Sequence, residues 1–327
     1  MTVLLTGATG FLGSHVAEQL SNAGIAVRAL VRKSSNTKFL STLPNVTLWE
    51  GSVEDRASVF AATEGVSEVI HVAGLVKAKD AEEFRRVNTG GTQTMLDAAL
   101  EHGVKRFVFV SSQAAGGPSE KGGPAVCVGK ETSPVTAYGR SKLSAERLLI
   151  AQKDKLHSVI LRPSAIYGPR DREILIFFKA VMSGVLPLTN PLDAMYSMIY
   201  GPDCADACVK ALTADVPSGS VYYVEDGVPI SFKEMIHLVE KALNKRAWVR
   251  VPLPERLVRT AARVSEMYGK LTDQPVMLTV DKCNELRASG WVCDGTAARL
   301  ELGWEPRVIF AEGVALTAAW YREQGWL

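Results

Sequence analysis

Two side chains with complementary acid–base chemistry lie one helical turn apart in the middle of the chain. Tyr138 and Lys142 are four residues apart, so a helix places both on one face. A free phenol has a pKa of about 10 and is a poor acid or base at neutral pH. A neighbouring ammonium group favours the phenolate and lowers that pKa. We therefore expect Tyr138 to serve as a general acid/base beside Lys142.

A third polar side chain, Ser112, follows a short apolar run that reads as a buried strand. In an open parallel sheet, ligands bind at the carboxyl ends of the strands, where the Ser112 hydroxyl can donate to a substrate carbonyl oxygen. Taken alone, this serine is equally well explained as a cap, and Tyr-x-x-x-Lys is common by chance. The occurrence of both after a glycine triplet, in this chain order, argues against coincidence.

The glycine triplet, within 3–13, indicates a dinucleotide-binding site. An apolar run typical of a parallel strand leads into glycines spaced three apart and then into helical periodicity. Gly7 permits the tight turn, Gly10 lets the backbone approach a pyrophosphate, and Gly13 lets the helix pack closely on the strand. Amides at the helix N-terminus then face the anion. We expect cofactor contacts from this turn and from the ends of later strands, namely Gly7, Thr9, Gly10, Phe11, Leu12, Ala73, Gly74 and Pro163.

Strand and helix patterns alternate through the first half of the chain. Strands are predicted over 3–5, 25–31, 46–49, 69–74, 106–110 and 157–161, and helices over 88–101 and 138–153. This alternation predicts an α/β fold, a Rossmann doubly wound parallel sheet with a smaller C-terminal substrate lobe. We expect a dinucleotide-binding domain over 1–165 and a mainly substrate-binding lobe over 166–327. In that lobe, helices are predicted over 171–186, 203–214 and 231–243, with a return to the sheet near 200–225.

Composition excludes several classes of protein. The chain has 327 residues, a net charge of +2 and ordinary apolar content, so nothing favours nucleic acid as a partner. Because the first strand begins at Val3, we expect no signal peptide and a cytoplasmic location. Cys204 and Cys208 lie four apart and could place two zinc ligands, but no His or further Cys is near them in sequence. Small buried apolar groups are the better interpretation of both, and no metal is expected.

The chain resembles the extended short-chain dehydrogenases/reductases over nearly its whole length. The matching segments are 6–13, 88–92, 107–112, 138–142 and 161–169. The resemblance implies that Ser112 orients the substrate oxygen, that Tyr138 is the general acid/base, and that Lys142 binds the nicotinamide ribose and tunes Tyr138. It also implies a supporting role for Asn88 and Thr92. One departure follows the third strand, where the family often has Gly-Asp for adenine and this chain has Gly51 and Ser52.

The end of the second strand bears on the choice between NAD and NADP. An NAD site wants an acidic residue there for the ribose 2′-OH, whereas an arginine accommodates a 2′-phosphate. The chain has no acid at this point and instead offers Arg32, Lys33 and Ser34. We therefore favour NADP(H), with NAD(H) as the alternative. A solvated basic loop is the structural interpretation of the same residues.

The motifs predict an enzyme that interconverts a ketone and a secondary alcohol by hydride transfer. The segments at the ends of the second and sixth strands resemble the dihydroflavonol-reductase and 3β-hydroxysteroid-dehydrogenase branch. One alternative is a nucleotide-sugar 4-epimerase with tightly bound NAD, although many of those have Arg-Tyr-Phe-Asn where this chain has Arg162-Pro163-Ser164. A second alternative is a non-catalytic cofactor-sensing protein, which the presence of both Tyr138 and Lys142 argues against.

Two further expectations concern partners. The helices predicted over 88–101 and 138–153 resemble a pair that forms a four-helix dimer interface in related proteins, so a homodimer is plausible on resemblance. Residues 254–271 form a basic amphipathic pattern that could lie on a membrane or cover an apolar substrate. Structural packing with solvated arginines is the favoured interpretation, so no membrane contact is expected.

Overall fold

The secondary structure comes from a computed structural model that describes residues 1–188, 190–272, 276, 279–288 and 290–327. In chain order, its strands are β1 Thr2–Thr6, β2 Ala26–Val31, β3 Val46–Glu50, β4 Glu68–His71, β5 Arg106–Val110, β6 His157–Pro163, β7 Ala165–Tyr167, β8 Val185–Leu188, β9 Met195–Tyr196, β10 Met198–Tyr200, β11 Ser220–Val224, β12 Ile230–Ser231, β13 Val249–Pro252 and β14 Gly290–Trp291.

Helices connect most of these strands. They are α1 Phe11–Asn22, α2 Arg56–Thr63, α3 Ala81–Phe84, α4 Gly91–Glu101, α5 Gln113–Gly116, α6 Ala137–Ile150, α7 Glu173–Ser183, α8 Gly201–Lys210, α9 Phe232–Leu243, α10 Glu255–Thr272, α11 Val280–Arg287, α12 Thr296–Leu302 and α13 Phe310–Glu323. A 3₁₀ turn covers Leu40–Thr42, and a π-helical segment, Arg85–Gly90, joins α3 to α4.

Seven parallel strands form the main sheet, in the order β11-β6-β5-β4-β1-β2-β3. From β1 the chain adds strands outward on one side, as far as β3, and from β4 it adds strands outward on the other side, as far as β11. The two halves of the sheet therefore meet between β1 and β4. The two strands have buried apolar side chains on both faces, one set packing with α1 and α8 and the other with α2, α4 and α6. This confirms the predicted doubly wound Rossmann fold, whose ligand crevice lies outside the carboxyl ends of β1 and β4.

The second half of the chain builds a separate apolar core around α7, α9 and α13, with Tyr167, Phe178 and Tyr321 among its buried side chains. Small two- and three-stranded sheets flank it. The chain also returns to the main sheet, because β11 pairs with β6 in parallel. The division of the chain at residue 165 stays a prediction.

Several predicted boundaries were wrong at their ends. The fourth strand stops at His71, since the Ala73 amide turns back to donate to Thr6 Oγ1 at 3.1 Å. The helix predicted over 171–186 ends at Ser183, because Gly184 adopts φ +80° and the chain continues as β8. The helices predicted to reach 153 and 214 end at Ile150 and Lys210. The helix predicted from Asn88 begins earlier, through α3 and the π-helical segment.

The two cysteines of α8 lie in the apolar core. Cys204 and Cys208 are fully buried on α8 in the core against α1, which confirms their interpretation as apolar packing groups. No cluster of potential metal ligands occurs among the described residues. Within the same residues, none of the helices combines the length and apolarity needed to cross a bilayer.

Candidate active site

The glycine turn after β1 has the predicted geometry. Gly7 adopts φ +72°, which side chains other than glycine rarely accept, and a Cβ there would lie 2.7 Å from the Ala73 amide nitrogen. A Cβ on Gly13 would lie 2.1 Å from the Gly7 carbonyl oxygen, so only glycine lets α1 pack this closely. Gly10 is the N-cap of α1, and no side chain caps it. The first amides of α1 are therefore available to a pyrophosphate, and the turn fits a dinucleotide.

The other predicted cofactor residues lie at the same edge of the sheet. Thr9 is exposed in the turn, while Phe11 and Leu12 open α1, where Phe11 packs edge-on against His15. Ala73 and Gly74 lie in the loop after β4, next to the turn. Pro163 ends β6, two strands away from β4.

The basic residues predicted to choose the cofactor follow β2, the neighbour of β1. Since Thr6 pairs with Leu30 in the parallel register, Arg32 leaves the sheet beside the glycine turn. Arg32, Lys33 and Ser34 are all exposed in a turn closed by the Ser35 amide and the Arg32 carbonyl oxygen at 2.8 Å. Within the described part of the chain, neither Arg32 nor Lys33 forms an ion pair. Both cations are thus available to an anionic group of a ligand.

Ser112, Tyr138 and Lys142 come together at the carboxyl edge of β5. Ser112 caps α5, accepting from the Ala114 amide at 3.1 Å, and its hydroxyl is near enough to Tyr138 to act to lower the pKa of that phenol. Ser111, in contrast, is buried and donates to Glu146 Oε1 at 2.5 Å. The two consecutive serines therefore face different partners, and it is Ser112 that shares the site with Tyr138.

Lys142 reaches the site from beneath. Its Nζ donates to the Val110 carbonyl oxygen at 2.9 Å and lies 4.9 Å from the centre of the Phe109 ring. A Cβ on Gly74 would lie 2.9 Å from this Nζ and 3.2 Å from Asn88 Oδ1. Lys142 and Asn88 therefore approach the backbone of Gly74 closely.

Burial shifts the pKa values of both Tyr138 and Lys142. Burial raises the pKa of Tyr138 to about 12, against the opposing effect of the Ser112 hydroxyl. Burial also lowers the pKa of Lys142 to about 8, with the Glu146 carboxylate opposing it. In the protein without its cofactor, removal of the phenol from water has the largest effect on this pKa, so the lowering expected from Lys142 together with a bound nicotinamide ring stays a prediction. Tyr138 is a protonated acid at neutral pH.

The buried side chain of Asn88 joins the loop after β4 to α6, the helix that carries Tyr138 and Lys142. Asn88 accepts from the Leu75 amide at 2.7 Å and donates to Ser141 Oγ at 3.0 Å. It lies in the π-helical segment, a distortion that often occurs at functional sites. Thr92 donates to the Asn88 carbonyl oxygen and contacts His71, which burial keeps neutral by lowering its pKa to about 3. These contacts agree with the supporting role predicted for Asn88 and Thr92.

A buried ion pair behind Lys142 was missed from the sequence. Arg162 on β6 donates to both oxygens of Glu146 on α6, at 2.9 Å and 2.6 Å, and to the Tyr223 phenol at 3.1 Å. Burial acts to lower the pKa of Arg162, but the hydrogen bonds and charge of Glu146 raise it overall. Glu146 is fully buried and follows Lys142 by one helical turn. The four-residue spacing of Lys142 and Glu146 could have indicated that Glu146 faces the site. It could not have indicated Arg162, because that partner lies on a separate strand.

A second unpredicted contribution comes from α11, far away in sequence. Asp281 caps the N-terminus of α6, where its Oδ2 accepts from the Ala137 amide. The Arg140 guanidinium lies 3.8 Å from the other Asp281 oxygen. The charge of Glu285, one turn further along α11, acts on both Tyr138 and Tyr196. Helix α11 thus lies against the N-terminus of α6, next to Tyr138.

Ser52 follows β3 at the point where the family often has an aspartate for adenine. The Ser52 amide already donates to Ser58 Oγ at 3.1 Å, and the Ser52 hydroxyl accepts from the Glu54 amide at 3.3 Å. Of these two groups of Ser52, the hydroxyl keeps a proton that it can donate to a ligand.

Comparisons with known proteins identify the family of this chain. The model of the NAD dependent epimerase/dehydratase family matches residues 3–224. A ceramide reductase from Caulobacter vibrioides is 31% identical, covering 99% of this chain and 96% of the relative. A 3 beta-hydroxysteroid dehydrogenase/Delta 5→4-isomerase from Mycobacterium tuberculosis is 30% identical, covering 79% of this chain and 73% of the relative.

A solved structure agrees on the fold. The UDP-glucose 4-epimerase of Thermotoga maritima with UDP-glucose superposes with a TM-score of 0.82 at 22% identity, covering 99% of both chains. The family model spans more than half of this chain, and the ceramide reductase spans it nearly end to end. The chain therefore belongs to the NAD-dependent epimerase/dehydratase family, within the extended short-chain dehydrogenases/reductases, and is an NAD(P)-dependent enzyme of that type.

Proposed function

We propose that this enzyme is an NADP(H)-dependent oxidoreductase that interconverts a ketone and a secondary alcohol on a small or mid-sized organic substrate. The observation that carries the proposal is the meeting of Ser112 and Tyr138 at the carboxyl edge of β5, with Lys142 beneath them. Two relatives add support, since one is named a ceramide reductase and the other a hydroxysteroid dehydrogenase.

Each of the three side chains has a distinct task in the proposed reaction. When bound, the nicotinamide supplies or accepts hydride at the carbonyl carbon. The Ser112 hydroxyl donates a hydrogen bond to the substrate oxygen and polarises the carbonyl group. Tyr138, protonated at neutral pH, gives its proton to that oxygen during reduction and accepts one during oxidation. Lys142 would hold the ribose next to the nicotinamide.

The preference for NADP(H) rests on the turn after β2. Arg32 and Lys33 are exposed cations beside the glycine turn, without acidic partners in the described part of the chain. A guanidinium group matches a phosphate with paired, charge-assisted hydrogen bonds. An NAD site would need an acidic side chain here, and 32–38 contains none.

We expect Arg32→Glu to reverse the cofactor preference. Loss of a charge-assisted hydrogen bond and repulsion of the 2′-phosphate raise the Kd for NADPH by about 10- to 100-fold. The Kd for NADH changes little, because NADH has no 2′-phosphate. Fluorescence titration of both cofactors measures the two constants. Lys105→Glu, at the amino edge of β5, is the matched charge reversal and leaves both constants unchanged. A wild-type protein that binds NADH more tightly than NADPH would overturn the preference.

The lowered pKa of Lys142 predicts a pH dependence for reduction. Lys142 carries its charge below about pH 8 and loses it above, whereas Tyr138, with a pKa of about 12, stays protonated throughout. We therefore expect kcat/KM for reduction to be level at lower pH and to fall above about pH 8. Oxidation needs the phenolate and speeds up as pH rises. Lys142→Met lowers kcat/KM and removes the fall near pH 8; an unchanged fall in this variant would assign it to another group.

The epimerase alternative makes a different prediction about ligands. A 4-epimerase keeps NAD tightly bound, so the purified protein would contain it and would be stabilised by a nucleotide diphosphate sugar. A thermal-shift screen with NADPH and panels of steroids, flavonoids, acyl compounds and nucleotide sugars separates the two. Under our proposal, NADPH raises Tm and one of the ketone or alcohol panels raises it further. A shift with nucleotide sugars alone would favour the epimerase.

A further inference from the structure

Helix α10 exposes its large apolar side chains and buries small ones, the opposite of a helix that packs into a core. Its buried positions are the small residues Ala262 and Gly269, while its large apolar side chains point to solvent. Five of them are between 56% and 80% exposed: Leu257, Val264, Met267, Tyr268 and Leu271. The favoured interpretation, structural packing with solvated arginines, is therefore wrong for these five side chains, although Arg256 and Arg263 are exposed as expected.

These five side chains form one stripe along the helix. At 100° per residue, Leu257, Val264 and Leu271, which are seven apart, lie nearly in line, and Tyr268 lies next to them. Arg256 and Arg263 each precede a member of the row and so form a parallel cationic row on one flank. Both arginines are exposed, and neither has an acidic partner among the described residues.

The segment before α10 also exposes large apolar side chains. Trp248 is 87% exposed, and Val249 and Val251 on β13 are also exposed. The 24 residues from 248 to 271 thus contain eight of the 22 large apolar side chains that are exposed in the described part of the chain. Arg246, two residues before Trp248, adds a further exposed cation without an acidic partner among those residues.

The opposite side of α10 is firmly attached to the protein. The Val280 amide donates to Glu266 Oε1 at 2.8 Å, and Arg259 donates to Asn284 Oδ1 at 3.2 Å. Both contacts join α10 to α11, which in turn caps the catalytic helix α6 through Asp281. The apolar stripe is therefore the free side of a helix that is already packed on its other side.

We propose that the outward face of α10, with Trp248, docks the enzyme onto the surface of an anionic lipid bilayer. An apolar stripe flanked by arginines is the pattern of a helix that lies in the membrane interface, its apolar side chains among the acyl chains and its cations at the headgroups. Tryptophan and tyrosine prefer this same zone. The cationic flank favours a negatively charged lipid surface over an apolar protein partner. This inference is independent of the reaction proposed above.

Co-sedimentation of the whole protein with vesicles tests the proposal. We expect binding to vesicles of phosphatidylcholine with phosphatidylserine, and little binding to phosphatidylcholine alone or at high salt. Arg256→Gln with Arg263→Gln weakens partitioning about 30-fold, the effect of two cations at an anionic surface. Val264→Glu with Leu271→Glu weakens it about 100-fold through lost apolar burial. Leu300→Glu, a change at a similarly exposed leucine on α12, has no effect.

Three controls keep the test decisive. Each variant should retain the wild-type Tm and its rate with a water-soluble ketone, since none of the changed residues lies in the catalytic site. Equal binding by the Val264→Glu, Leu271→Glu variant, or no binding by the wild type, would overturn the proposal. Analytical ultracentrifugation tests whether a second copy of the chain, instead of a membrane, binds the apolar stripe. If the wild type forms a dimer that this variant abolishes, the stripe is a dimer interface. A dimer formed through α4 and α6, as the resemblance suggests, would persist.

Discussion

Tyr138→Phe lowers kcat for ketone reduction by about 10²- to 10⁴-fold, the usual contribution of a positioned acid. The phenol is the protonated group beside Ser112, with a pKa of about 12, and phenylalanine preserves its ring while removing the proton. The ring itself packs 5.9 Å from that of Phe84, a contact that the substitution keeps. We therefore expect Tm and the Kd for NADPH to change little. Single-turnover kinetics together with cofactor titration measures both quantities.

Tyr222→Phe is the matched control for the loss of a phenol. The Tyr222 phenol donates to Glu301 at 2.5 Å, and its ring is buried in the sheet on β11. This variant loses a hydrogen bond without touching the catalytic group, so its kcat should stay near that of the wild type. If Tyr138→Phe retained wild-type turnover, the role of Tyr138 as general acid would be refuted.

Glu146→Gln destabilises the fold by about 3 to 5 kcal/mol, the cost of leaving a buried charge without its counter-ion. Arg162 is held on both oxygens of Glu146, and their side chains are only 7% and 1% exposed. The same carboxylate accepts from Ser111, which directly precedes Ser112. Urea unfolding of the variant and the wild type gives the difference in free energy.

A surface ion pair provides the comparison for this change. Arg85 and Glu82 pair at the protein surface, where such pairs often contribute nothing measurable. Glu82→Gln should therefore leave the urea midpoint unchanged. We also expect Glu146→Met combined with Arg162→Met to recover part of the lost stability, since it removes both charges together. A midpoint for Glu146→Gln equal to that of Glu82→Gln would show that the buried pair is unimportant.

Local patterns predicted the fold and the position of the site. The glycine turn, Ser112 and the Tyr138–Lys142 spacing each depend on residues close together in sequence, and parallel strands bring their ends to one edge. Gly7 has the positive φ, and Gly13 the close contact, that the spacing implied. The contact of Gly74 with the cofactor stays a prediction, and the close approach of Lys142 and Asn88 to this glycine was not predicted.

Contacts between distant segments could not be predicted in the same way. Asp281 caps a helix that begins 144 residues earlier in the chain, and no periodicity links the two. The pKa of Tyr138 depends on how deeply its phenol is buried, which spacing does not reveal. Likewise, the amphipathic pattern of α10 was visible in the sequence, but only the structure showed which of its faces packs against the protein.

The most direct test of the central claim follows the hydride itself. The enzyme is given NADPH in which both hydrogens at C4 of the nicotinamide are deuterium, with the ketone found in the thermal-shift screen, and the product is examined by mass spectrometry and NMR. Our account predicts one deuterium on the carbinol carbon for each NADPH oxidised, and far slower transfer in Tyr138→Phe. Interconversion of a nucleotide sugar without net oxidation of NADPH, and without deuterium in the product, would contradict it.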